Sequence, residues 1–83
     1  MRVTVKYRGP LVTLANKAAE EIESETVKDV IRHIKMNYGG KTEKLAKAMI
    51  IAVNGENILQ KMHFKTPLQD GDEISFLPIC GGG

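Results

Sequence analysis

The sequence predicts an α+β domain: a mixed sheet of four to five strands with one main helix packed on one face. Three observations lead there. Residues 2–8 alternate strictly, with Val3, Val5 and Tyr7 on one side and Arg2, Thr4, Lys6 and Arg8 on the other. Val27, Val30, Ile31, Ile34 and Tyr38 recur at helical spacing and form one apolar stripe. Residues 73–77 alternate again, with Ile74 and Phe76 opposed to Glu73, Ser75 and Leu77. Half-buried strands and an amphipathic helix each have one face to hide, and laying the helix across the sheet hides both.

Taken in order, the first alternating run is a strand that Gly9-Pro10 breaks. Residues 11–15 are apolar but few, and read either as a loop tucked under the core or as the start of the return strand. Residues 18–23 form a weaker strand candidate with Ile22 as its core residue. Thr26 is a helix N-cap, and Asp29 sits in the first turn, where the helix dipole favours a negative charge. Gly39-Gly40 closes that helix. Residues 41–47 fit a short second helix, and residues 49–53 an apolar strand. Asn54-Gly55 signals a tight turn, with residues 57–62 as the return strand. The turn-forming Gln69-Asp70-Gly71-Asp72 precedes the last strand, and Pro78, which lacks an N–H, ends it.

Eighty-three residues make a single domain. A net charge of +2 and 5% aromatic residues give no case for nucleic-acid binding, which wants concentrated basic surface and stacking rings. One cysteine makes no internal disulfide, so a reducing compartment is expected. Without a long apolar run or a leader pattern, the expected location is cytoplasmic and no membrane contact is expected. The least ordinary feature is the end of the sequence. The last strand delivers Gly81-Gly82-Gly83, so residues 1–78 read as the domain and residues 79–83 as a flexible tail.

The stretch resembles one family closely. Pro67, Leu68, Asp70, Gly71, Asp72, Glu73, Ile74, Phe76, Pro78, Gly82 and Gly83 match the closing motif of the MoaD/ThiS-type sulfur carriers. Residues 27–34 and Ala52-Val53-Asn54-Gly55 extend the likeness more loosely. The nearest likeness is to the small subunit of molybdopterin synthase, in the molybdenum or tungsten cofactor pathway. The resemblance implies a ubiquitin-like β-grasp topology and a non-enzymatic role. A terminal glycine run is ordinarily only a frayed end. Its distance from the family's strand argues for function here. Residues 79–83 span roughly 16–18 Å when extended, at ~3.3–3.6 Å per residue, enough to enter a partner's active site.

By the same resemblance, chemistry falls on the carboxylate of Gly83, with Gly81 and Gly82 threading the partner's channel. A carboxylate is a poor electrophile. ATP, used by the activating partner, converts it to an acyl adenylate with AMP as leaving group, and a persulfide sulfur then yields a thiocarboxylate. The implied partners are a ubiquitin-activating-like (MoeB/ThiF-type) adenylyltransferase, a larger synthase subunit (MoaE-like) and a sulfur donor such as a cysteine desulfurase. No bound cofactor and no metal site is expected. Two alternatives stand beside this reading: a ubiquitin-like modifier attached to lysines through Gly83, or a thiamin-type carrier. An interaction module with an inert tail is the third, from a different class.

The remaining candidates are weighed on chemistry. Cys80 lies three positions from the reactive carboxylate, but no cation in residues 77–83 would lower its pKa, so it is read as a small tail residue. A lone cysteine also excludes a four-thiolate iron–sulfur cluster. His33 is expected to face solvent beside the helix stripe, and neither it nor His63 has triad logic around it. Leu77 and Ile79 are candidate docking residues. In a ubiquitin-like sheet the first and last strands are neighbours, which sets Leu77 among Arg2, Lys6 and Arg8. That surface is either a solvated strand face or an apolar anchor ringed by positive charge for an acidic partner.

Overall fold

A computed structural model describes residues 1–79. The elements run β1 (Arg2–Lys6), α1 (Pro10–Ala15), β2 (Ala19–Glu23), α2 (Val27–Tyr38), α3 (Gly40–Ala48), β3 (Ile50–Val53), β4 (Glu56–Asn57) and β5 (Glu73–Leu77), with two 3-10 turns before β5. The five strands form one sheet in the order β2-β1-β5-β3-β4. β1 and β5 are parallel, and the other pairings are antiparallel. A central parallel pair with antiparallel wings and a helix across one face is the β-grasp arrangement.

The inner face of the sheet is built by the expected residues. Val3, Val5, Tyr7, Ile74 and Phe76 are almost wholly buried, and Val27, Val30, Ile31 and Ile34 of α2 pack into the same core. α2 starts where Thr26 caps it. The Thr26 hydroxyl accepts from the Asp29 N–H, and the Asp29 carboxylate accepts from the Thr26 N–H, so two orphan donors are satisfied reciprocally. Gly39 ends the helix with φ +95°, a conformation that side chains resist. Asn54 and Gly55 both take positive φ, as the expected hairpin turn requires. The Asn54 side chain also ties this turn to the last strand, accepting from the Glu73 N–H at 2.9 Å and donating to Asp72 at 2.9 Å.

Three local readings are corrected. Residues 11–15 are neither loop nor strand: they belong to the six-residue helix α1, whose Leu11 and Ala15, four apart, are buried. Pro10 opens it in the first turn, where a missing N–H costs nothing. The return strand expected over residues 57–62 lasts only two residues, Glu56–Asn57. The Asn57 side chain then accepts from the Leu59 N–H, starting a 3-10 turn that sends Ile58 into the core. The second helix is longer than residues 41–47, covering Gly40–Ala48. After β4 the chain crosses back to the start of α2, where Leu68 and Val27 N–H groups bond to Glu25 and Thr66 carbonyls. Among the described residues no helix is long and apolar enough to cross a membrane.

Candidate functional site at the end of the last strand

β5 occupies the middle of the sheet, so the chain leaves from the centre of one edge rather than from a corner. Because β5 runs parallel to β1, its exit lies at the end where β1 passes into Gly9-Pro10. Because it runs antiparallel to β3, the exit also lies beside the start of β3, with Leu77 paired to Ile50. Gly9 takes φ +58°, and a side chain there would stand 3.5 Å from Pro78. The loop before α1 thus lies directly against the proline that ends the strand.

On the other flank, Ile79 lines a shallow cleft of about 240 Å³ with Met49, Ile50, Ile58, Leu59 and Phe64. Leu59 and Ile79, 65% and 62% exposed, share this cleft and with Ile50 form an apolar collar along this flank of the exit. Leu77 is half-buried on the outer face. The collar residues Ile50 and Leu59 were missed in the sequence. Ile50 stood opposite the inward pair Ile51 and Val53 in the period-2 pattern, and that was the available signal.

The expected cationic ring about Leu77 does not form. Arg2 starts β1, at the far end of the sheet from the exit, and its guanidinium bonds Glu21 at 3.1 Å and Glu23 at 3.8 Å. Lys6 lies across from Ser75 and pairs with Glu73 at 3.3 Å, so its charge is matched within the sheet. Arg8 is exposed and lies two residues beyond Lys6, as Leu77 lies two beyond Ser75. It is the candidate cation that the register carries toward the exit. Cys80, Gly81, Gly82 and Gly83, with the tail chemistry assigned to them, lie outside the described residues.

A second polar assembly lies under the sheet's other wing, and the sequence reading misplaced one of its members. His33 is not simply solvent-facing: it is half-buried, its Nε2 3.2 Å from Glu20 Oε2. The same carboxylate accepts from the Tyr7 hydroxyl and, at 2.7 Å, from the Tyr38 hydroxyl, while Lys17 stands 3.4 Å from Oε1. Burial alone would raise the Glu20 pKa, but the two phenol donors and the His33 and Lys17 charges together hold it below the usual range. Burial, and then the Glu20 carboxylate, push the Tyr7 phenol well above its ordinary 10.0. This cluster ties α2 to β2 and to Tyr7, the residue that follows β1.

The phenol shift predicts a pH dependence. Between pH 10 and the raised folded value, unfolded Tyr7 loses its proton while folded Tyr7 keeps it. The native state then binds more protons, so stability present below pH 10 falls as pH rises above it. Tyr7→Phe should destabilise by about 1.5–3 kcal/mol at neutral pH, the range for a hydrogen bond to a charged group. It should also shallow the alkaline decline measured by urea melts at stepped pH. An unchanged slope would mean that Tyr7 does not hold its proton in the fold.

The β-grasp topology, with β5 central in the sheet and an apolar collar at its exit, defines a ubiquitin-like domain. The model of the ThiS family matches residues 5–83, and the chain belongs to that family. No curated protein sequence matches closely enough to refine this. Among solved structures, the chain is similar to the small archaeal modifier protein 1 of Methanosarcina acetivorans, with 26% identity and TM-score 0.79 over 99% of this chain and 96% of that one. It is similar to a chain of the complex of subunits 1 and 2 of molybdopterin-converting factor from Helicobacter pylori, with 29% identity and TM-score 0.73 over the whole of both chains. A chain of the BexX/CysO complex of Amycolatopsis orientalis gives 25% identity and TM-score 0.82 over 98% of this chain and 99% of that one.

Proposed function

We propose that this chain is a sulfur carrier that does no catalysis itself and serves molybdopterin synthesis. The observation that carries the reading is the exit of the central strand β5, bordered by exposed apolar side chains, in a chain of the ThiS family whose sequence reaches Gly81-Gly82-Gly83 four residues after that strand. On a partner adenylyltransferase, the Gly83 carboxylate attacks the α-phosphorus of ATP and expels pyrophosphate. The terminal sulfur of a persulfide then attacks the acyl adenylate and expels AMP, leaving an acyl disulfide. A second thiol of the partner system reduces that disulfide, releasing the thiocarboxylate. Likeness to the molybdopterin-converting factor complex supports a larger synthase subunit as the recipient.

Likeness to an archaeal modifier protein favours a second reading with the same first step. There a lysine amine attacks the adenylate, or a thioester formed from it, and an isopeptide bond results. Both readings need the surface at the strand exit, where Leu77 pairs with the collar residue Ile50, to dock on the activating enzyme. Leu77→Arg tests that need. The side chain is half-buried on the outer face, so the domain should stay folded by circular dichroism. At an interface the new charge loses an apolar contact and is desolvated without a partner, so binding to the cognate adenylyltransferase in calorimetry should weaken by about tenfold or more. Unchanged affinity would remove Leu77 from the docking surface.

A further inference from the structure

The charges of this chain are segregated. α2 and α3 together hold six of the twelve cations and only two of the ten carboxylates. One of those two, Asp29, is committed to the α2 cap. A groove of about 550 Å³ runs along this face, between α2, α3 and the 3-10 turn at residues 63–65. Lys28, Arg32, Lys35, Lys47 and Lys65 line it, and none of the five makes an ion pair among the described residues. Its apolar lining is Ile31, the partly buried Phe64 and, at the surface, Met36, which is 77% exposed.

We infer that this groove is a docking site for an acidic segment of a partner protein, one that carries apolar anchor side chains between its carboxylates. Five unmatched cations around a hollow repel one another and are relieved by bound negative charge. The exposed methionine and the phenylalanine beneath supply adaptable apolar contact, which a phosphate backbone would leave unused. Glu43 inside the rim also disfavours a uniform polyanion. A second copy of this chain is a poorer occupant. Its acidic strand β2 is already engaged, with Glu20 in the tyrosine cluster and Glu21 and Glu23 paired to Arg2. Phe64 and Lys47 line both this groove and the Ile79 cleft, so a partner that takes the tail can reach the groove at the same time.

The test uses three short labelled peptides in fluorescence anisotropy: one with leucine and phenylalanine between aspartates and glutamates, its lysine counterpart, and an acidic one with serines for the apolar residues. Only the first should bind saturably, and its amide NMR perturbations should fall on α2, α3 and residues 63–65. Arg32→Glu with Lys35→Glu should weaken it by at least about tenfold, through lost and reversed charge pairs. Met36→Glu should weaken it too, and its high exposure keeps the fold intact. Lys61→Glu, a single charge reversal at a side chain outside the groove and paired with Glu56, should leave binding unaltered. The inference is overturned by absence of binding, by equal binding of the serine peptide or of an oligonucleotide, or by perturbations on the sheet face. Self-association through the groove, seen by sedimentation and abolished by the double variant, overturns it as well. None of these readouts depends on sulfur loading.

Discussion

Deletion of Gly83 is expected to abolish ATP–pyrophosphate exchange with the cognate activating enzyme while leaving the thermal melt where it was. The described core is closed by side chains from Val3 to Phe76. Removing one residue draws the carboxylate back by roughly 3.3–3.6 Å along the partner's channel. Acyl transfer needs its reacting atoms held about 3–3.5 Å apart and aligned, so the retreat equals the whole working distance. Gly82 then offers the same chemistry in the wrong place. Extending the chain past Gly83 should fail equally, because an amide replaces the carboxylate at the reacting position. Exchange at the parental rate in both variants would show that Gly83 is not the reactive group, and the carrier and modifier readings would fall together.

Phe76→Ala should be the most destabilising single truncation in β5, by about 3–5 kcal/mol. Phe76 is fully buried between α2 and the sheet, and its ring stacks on Tyr7 with centroids 6.2 Å apart. Alanine leaves a cavity and also strips Tyr7 of an aromatic neighbour, whose hydroxyl anchors Glu20. A domain of this size has a stability near the low end of the usual 5–15 kcal/mol, so the variant should be largely unfolded at physiological temperature. Urea melts read the loss directly. A midpoint shift within error would mean that the inner face of β5 is not the core.

The strands and the main helix were legible because their signals are local and periodic. β1 and β5 show the period of two, α2 shows the period of 3.6, and Thr26, Asp29 and Asn54-Gly55 mark ends and turns by their own chemistry. α1 was not legible. Six residues hold barely more than one helical turn, and Leu11 and Ala15 alone do not distinguish a helix from a loop. The end of β4 was hidden for another reason. Residues 57–62 follow a hairpin-turn signal, but Asn57 prefers to cap a 3-10 turn, and that preference shows only once Ile58 has a core to enter.

The family was legible from its closing motif, but the surface around the exit of β5 was not. Charge on one strand face led Arg2 and Lys6 to be placed with Leu77, whereas their carboxylate partners come from β2 and β5, across the sheet. The Glu20 cluster joins residues 13 and 18 apart in sequence, with no periodic trace. Its one local clue was Tyr7 itself. A tyrosine on the buried face of a strand needs a partner for its hydroxyl.

The central claim is that the last carboxylate of this chain carries sulfur. Intact-mass spectrometry of the protein purified from its own host, without reductive alkylation, tests it most directly. The account predicts a fraction heavier than the sequence mass by the replacement of one oxygen with one sulfur, with the change confined to the C-terminal peptide and absent from the Gly83 deletion. Glycine remnants on lysines of other proteins, with no sulfur-bearing form of the free chain, would contradict it.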